Sequence, residues 1–341
     1  MKIFVTGGAG YIGRVLVPKL VERGYKVTVL DRNFLNPMEI ENPFPHLDVK
    51  FIKDDIRYFD PNILRGNEAI VDLAALSNDP SGELDPIRTW DINFVGRSRV
   101  CRLAKKLGIG RYIVSSSTSV YGFREEVSDE STPPNPLTTY AEANVAIEKD
   151  ILFLKDKNFA PTALRFATAF GYSPRMRLDI AINAMTFNAV KFKRVRLMKD
   201  GQQYRPFVHV IDISNAVDTV LSADQGKVSG EVFNVGSENL NVKLIDLAHI
   251  VTRVTGIGDS IEWYGDPDKR SYRGSFEKIR TKLGYKTTMD IEKGVREIKE
   301  KIDDGTLEDR PEYHTVEYYK KLLEAKQIMD KYGYSMNTRV L

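Results

Sequence analysis

Cysteine is almost absent from this chain. Cys101 is the only one in 341 residues, so no disulfide within the chain and no thiolate metal site can form. It falls in an apolar helical stretch, residues 98–107, and reads as core packing. Histidine is nearly as scarce: His46, His209, His249 and His314 are scattered without ligand spacing, and no structural metal is expected. No apolar run approaches the roughly 20 residues a membrane span needs. No basic-apolar-small leader precedes the first strand, so a soluble, cytoplasmic protein without membrane contact is expected. Charge of one sign is also lacking. A net charge of +3 gives no global reason to bind nucleic acid. The densest basic run, Lys191 to Arg196, reads first as a solvated helix end and second as a wall that attracts an anionic substrate.

What is present is an apolar fraction of 42%, enough for a sizeable core and not the composition of a disordered chain. The most specific signal lies in the first 31 residues. A short strand, Ile3-Phe4-Val5, runs into Gly7-x-x-Gly10-x-x-Gly13, then an amphipathic helix, then a second strand ending at Asp31. Glycine lets backbone approach a pyrophosphate closely, and the following helix aims free N–H groups and its positive dipole end at phosphate. A carboxylate at Asp31 accepts from both hydroxyls of an adenosine ribose. It would repel a 2′-phosphate, which favours NAD over NADP; Arg32 beside it softens that preference.

Strand and helix patterns alternate through the first half. Strand-like runs cover residues 2–6, 26–30, 49–52, 69–74, 111–115 and 162–165. Helical runs cover 11–23, 86–107 and 140–155. Nearly continuous apolar strands between helices predict a parallel sheet covered on both faces, an α/β doubly wound (Rossmann) fold. Residues 1–170 form the expected NAD-binding domain, with 206–236 returning to it. Residues 171–205 and 237–312 form a smaller carboxy-terminal substrate lobe, and 313–341 a helical tail.

In such sheets the chemistry sits at the carboxyl ends of strands. Two segments stand out there: Ser115-Ser116-Ser117-Thr118-Ser119-Val120-Tyr121-Gly122 closing one strand, and Thr139-Tyr140-Ala141-Glu142-Ala143-Asn144 opening a helix. A hydroxyl at a strand end that faces a tyrosine at a helix start can form a proton relay. With Asp55-Ile56-Arg57, Leu73-Ala74-Ala75, Asn93, Leu164-Arg165, Arg205-Pro206-Phe207-Val208-His209-Val210 and Phe233-Asn234-Val235-Gly236, the chain resembles the extended short-chain dehydrogenases/reductases of the NAD-dependent sugar epimerase/dehydratase group. The resemblance spans roughly residues 1–300.

The resemblance implies NAD as cofactor, a nucleotide-diphosphate sugar as substrate and a homodimer through the helices near 86–107 and 140–155. It implies that Gly7, Gly10, Tyr11, Ile12, Gly13, Asp31, Arg32, Asp55, Ile56, Leu73, Ala74, Ala75, Asn93, Ser115, Tyr140, Asn144 and Phe166 border the cofactor. Ser77, Ser117, Thr118, Thr168, Asn183, Arg205 and Arg270 would border the substrate, the arginines as forks for its diphosphate. Arg205 could instead pair with Asp212. Ser117, Tyr140 and Asn144 would be catalytic, with Tyr140 taking a proton from a sugar hydroxyl, usually at C4, as the hydride goes to NAD⁺.

Three departures stand out. The family pattern is Tyr-x-x-x-Lys, and the fourth residue after Tyr140 is Asn144. Asparagine can hydrogen-bond the nicotinamide ribose but brings no charge to the tyrosine. A unit charge about 5 Å away is worth on the order of 3 kcal/mol, roughly a hundredfold in tyrosine ionisation. Three explanations stand side by side: an adapted site, a substitution that slows turnover, or binding without efficient catalysis. Second, Thr118 and Ser119 replace the Asp-Glu pair of 4,6-dehydratases, which lowers that reading. Third, Thr168 and Ala169 replace a frequent Asn-Pro, which leaves the sugar open. An epimerase is the leading expectation, a redox-dependent dehydratase or decarboxylase the second, and a non-catalytic binder the third.

Overall fold

The computed structural model describes residues 1–36, 41–266 and 270–332; the end of the expected tail, residues 333–341, lies outside them. Seven parallel strands form the central sheet: β1 (Lys2–Thr6), β2 (Lys26–Asp31), β3 (Val49–Lys53), β4 (Ala69–Asp72), β5 (Arg111–Ser117), β6 (Ala160–Phe166) and β7 (Glu231–Val235). Their order is 3-2-1-4-5-6-7, with Val5 in register with Val29 on one side and Val71 on the other. The order reverses between β1 and β4, where a doubly wound sheet opens its binding crevice.

Both faces are covered, which explains the unbroken apolar strands. Ile3 and Val5 point into one core with Leu16, Val17 and Leu20 of α1 (Gly13–Glu22). Phe4 points into the other, with Val100, Cys101 and Ile151. On that second side run α4 (Arg97–Lys106) and α5 (Thr139–Phe153), preceded in the chain by α2 (Asp79–Leu84) and α3 (Pro86–Trp90). Cys101 is buried, and its thiol is pushed well up by burial.

The helix expected over 86–107 is not continuous. A π-helical turn at Asp91–Gly96 separates α3 from α4. Two local contacts hold it. The Asn93 amide bridges the backbone N–H and C=O of Leu76, at 2.8 and 3.0 Å. Gly96 meanwhile lies so close to Ile56 that a Cβ would come within 2.9 Å of it.

After β6 the chain leaves the sheet. Tyr204–His209 pairs parallel with Thr168–Phe170 and antiparallel with Asn241–Lys243. Helices α6 (Ala181–Phe192), α7 (Val210–Ser222), α8 (Leu244–Thr255), α9 (Ile291–Asp303) and α10 (Thr315–Lys331) complete the framework. Ile213, Ala216, Val217 and Val220 of α7 join the α1-side core, and β7 pairs with β6. Helices α6, α8 and α9 share a separate core around Ile182, Leu247 and Val295. Among the described residues no helix is long and apolar enough to cross a membrane. The basic run at 191–196 ends α6 and enters a strand at Val195, and Arg194 pairs with Glu262 at 2.8 Å. None of its residues borders the cleft described next.

Candidate active site

A cleft of about 420 Å³ opens at the carboxyl ends of β1, β2, β4, β5 and β6. At its floor Gly7 adopts φ +68°, and a Cβ there would lie 2.6 Å from the Ala74 nitrogen. A Cβ on Gly13 would lie 2.3 Å from the Gly8 oxygen. Only glycine permits this turn, and the missing side chains leave a cradle at the start of α1.

Asp31 ends β2 beside that turn. Its carboxylate accepts from Ala9 N–H at 2.9 Å and Asn33 N–H at 2.7 Å. One oxygen is used by each bond, so each keeps acceptor capacity. Burial pushes its pKa up, against the pull of those amides and of Arg175 and Arg32. Arg32 sits 3.4 Å from Asp55, whose carboxylate Arg57 also grips from 2.8 Å. Burial works against the charge of Asp55, but these arginines win and hold its carboxyl below the usual range.

Strand β5 delivers the serines. Ser115 Oγ donates to Asp72 O at 3.0 Å. Ser116 turns away and donates to Glu148. Ser117 Oγ accepts from Ser119 N–H at 3.1 Å and caps the short turn that follows. Across from them Tyr140 sits in the first turn of α5. Thr138 caps that helix and donates to Asp79 at 2.5 Å, and Glu83 accepts from Thr139 N–H at 2.6 Å. These bonds fix the helix start to α2. Burial pushes the Tyr140 phenol up; the Asn144 amide pulls it down, Asp79 pushes it up, and Arg97 and Ser117 pull it down.

The other wall is built of side chains. Arg270 pairs with Asp79 at 2.7 Å. Arg205 stacks on Tyr272 at 5.3 Å and donates to the backbone oxygens of Tyr204 and Arg270. Asp212, weighed as its partner, instead accepts from Thr288 at 2.8 Å and from Met289 N–H at 3.0 Å. Arg177 clasps Asp179 at 2.7 Å and Ser77 Oγ at 3.0 Å. Arg175 donates to Leu35 O, Glu312 O and Thr315 Oγ1, and burial lowers it to about 10.

Of the residues named from sequence, Gly7, Gly10, Tyr11, Ile12, Gly13, Asp31, Arg32, Asp55, Ile56, Leu73, Ala74, Ala75, Ser77, Ser115, Ser117, Tyr140, Asn144, Phe166, Thr168, Arg205 and Arg270 border this one cleft. Three do not line it. Asn93 clamps Leu76, as described above. Thr118 donates to Phe166 O at 3.3 Å. Asn183 accepts from Gly171 N–H and donates to Tyr11 and the Arg177 carbonyl, at 3.0 to 3.1 Å. Each is fully buried and holds a neighbour of the cleft. The cleft also contains Asp79, Arg97, Arg175, Arg177, Tyr272 and Thr315, which sequence reading missed. The cluster Pro174-Arg175-Met176-Arg177-Leu178-Asp179, dense in charge just past a strand end, was the available signal; Thr315 had none.

The residues present fit a dinucleotide. The cradle at Gly7 and Gly13 has room for phosphate and for nothing bulkier on the backbone. The Asn144 Nδ2 is buried with no hydrogen-bond acceptor in the protein, a donor awaiting a ligand oxygen.

A doubly wound sheet with this crevice, acid and Ser-Tyr pair defines a dinucleotide-dependent enzyme scaffold. The chain belongs to the NAD-dependent epimerase/dehydratase family, whose model matches residues 3–236, and NAD is its cofactor. It is 29% identical over 313 residues to UDP-glucose 4-epimerase of Lactobacillus helveticus, covering 84% of this chain and 92% of that one. It is 25% identical over 337 residues to UDP-glucuronic acid decarboxylase 1 of Xenopus tropicalis, covering 95% and 73%. Among solved structures it is similar to MoeE5 in complex with UDP-glucuronic acid and NAD, with TM-score 0.80, 25% identity and coverage of 89% and 100%. The UDP-glucose 4-epimerase of Thermotoga maritima with UDP-glucose gives TM-score 0.80, 25% identity and coverage of 90% and 100%.

Proposed function

We propose that the protein is an NAD-dependent nucleotide-sugar epimerase that works through a transient 4-keto sugar. The observation that carries this is the convergence of Ser117 and Tyr140 on the cleft that begins at Gly7 and ends at Arg205 and Arg270. When bound, NAD accepts the hydride of the sugar carbon and returns it. Tyr140, as phenolate, takes the proton of the C4 hydroxyl and gives it back after the sugar has turned. Ser117 Oγ hydrogen-bonds the same oxygen and holds it between carbon and tyrosine. Asn144, whose Nδ2–H has no acceptor in the protein, would help hold the nicotinamide ribose. Arg205 and Arg270 hold the diphosphate from the opposite wall, Arg270 exchanging Asp79 for phosphate.

The protein is read as a homodimer through the α3–α5 face. There Ile87 and Phe153 are 84% and 87% exposed, large apolar side chains that a second copy would cover.

A second reading, oxidation followed by loss of CO₂ from a uronic acid sugar, draws support from the decarboxylase relative. It shares the first half-reaction. Incubation with UDP-, GDP-, CDP- and dTDP-sugars, followed by product NMR, separates the two. An inverted C4 centre is the expected outcome. Loss of CO₂ favours the second reading, and absence of any product or binding removes both.

A further inference from the structure

We infer that Arg97 is a positioning residue that supplies, from the first turn of α4, the positive charge beside Tyr140 that Asn144 does not carry. The inference rests on the epimerase reading for its purpose and on the geometry below for its substance.

Arg97 is fully buried, yet it borders the cleft together with Ser115, Tyr140 and Asn144. The π-helical turn before it delivers it there. One extra residue per turn rotates everything that follows by about 100° relative to an α-helix, and Asn93 locks that turn to Leu76. Its Nε donates to Asp72 at 3.2 Å, and its Nη2 to Ser115 O at 2.7 Å and Ser115 Oγ at 3.0 Å. Its Nη1 is buried with no acceptor in the protein. Asn144 Nδ2 is in the same condition. With Ser119 Oγ, three buried donors without acceptors thus belong to residues that border one cleft, and Arg97 Nη1 is the charged one.

A guanidinium paired with a carboxylate has little field unless the pair is directional. This one is. Asp72 does not border the cleft. It is held from behind by the Thr6 hydroxyl at 2.6 Å and the Tyr112 hydroxyl at 2.5 Å. The anion lies at the back and the cation faces the site. The other groups around Tyr140 lack that arrangement. Asp79 on α2 opposes ionisation and is itself paired with Arg270. Arg177 acts on Tyr140 in the favourable sense, but its partner Asp179 borders the same cleft and offsets its charge there. Ser117 and Asn144 bring no charge to it.

The test is the titration of Tyr140 in the purified full chain, followed by 13Cζ-tyrosine NMR and assigned by the resonance lost in Tyr140→Phe. In Asp72→Asn/Arg97→Met, which removes both charges together, the midpoint is expected to rise by about one pH unit or more. In Arg97→Lys it stays near the parent value, and adding Asn144→Lys to the double variant brings it back. An unchanged midpoint in a double variant that still melts cooperatively overturns the inference, as does an equal rise in Arg97→Lys. If the double variant fails to fold, Asp72→Asn alone decides. Loss of the rear anion must lower the midpoint, and a midpoint that stays or rises overturns the inference. The titration needs no substrate. A protein that shows these shifts and converts no nucleotide sugar therefore sinks the epimerase reading alone.

Discussion

Two buried arginine–carboxylate pairs meet the end of β5 one residue apart, and they finish differently. Glu148–Arg165 is closed. Arg165 donates from Nε and Nη2 to Glu148 and from Nη1 to the Tyr121 hydroxyl, while Ser116 adds its own bond to the carboxylate. In Asp72–Arg97 the serine meets the other partner: Ser115 Oγ accepts from Arg97 Nη2, and Nη1 is left without an acceptor. Both pairs carry the desolvation cost of burial. The closed one fastens α5 to β6 and has nothing left to give. The open one faces the cleft with a donor and a charge. Between these two pairs, the last guanidinium donor, satisfied in one and open in the other, is what differs.

The comparison can be broken most severely at the closed pair. Glu148→Ala leaves the Arg165 guanidinium buried without its partner and is expected to cost about 3–5 kcal/mol, read as a lower urea midpoint with unchanged slope. A cost under about 1 kcal/mol would make the two pairs alike. Next in size is the group that the open pair faces. Tyr140→Phe should lower kcat about a thousandfold while NAD affinity and unfolding free energy hold; a modest rate loss would assign proton transfer elsewhere. Smaller, and sharper, is Asn144→Lys. Burial raises the Tyr140 phenol, so the active phenolate is scarce near neutrality and the rate climbs with pH. A cation at position 144 favours the phenolate, lowers that pKa and moves the acid limb of the profile to lower pH, with kcat up about tenfold near neutrality. A rate unchanged or lower across pH would mean that Arg97 already supplies all the charge the site uses, and that position 144 adds none.

The cofactor half was legible because its information is local. Gly7, Gly13 and Asp31 act through backbone geometry and one carboxylate, within a single strand-helix-strand unit. The strands showed because both faces of the sheet are buried. The opposite wall was partly hidden. Arg205 and Arg270 were found through resemblance, whereas Arg175 and Arg177 become cleft residues only when their loop folds back onto Ser77 and Leu35. Arg97 was hidden more deeply. It is one of three arginines in an amphipathic run, with Arg99 and Arg102, and such arginines read as solvent-facing; its inward turn depends on a π-helical turn that Asn93 and Gly96 build against Leu76 and Ile56. Asn93, Thr118 and Asn183 stand apart from the cleft lining. Residue type suggested ligand contact, and folding used their polar atoms to hold neighbours.

The seventh strand of the sheet comes from residues 231–235, separated by 64 residues from the end of the sixth. Everything between is looped out of the sheet and returns to complete it. A gene fragment ending at Phe166 would therefore present β6 as a bare apolar edge, the kind of surface that templates aggregation. The cofactor half by itself lacks one strand of its own sheet. Because its last strand arrives only after a long loop has closed, its assembly is tied to distant contacts and to the pace they set.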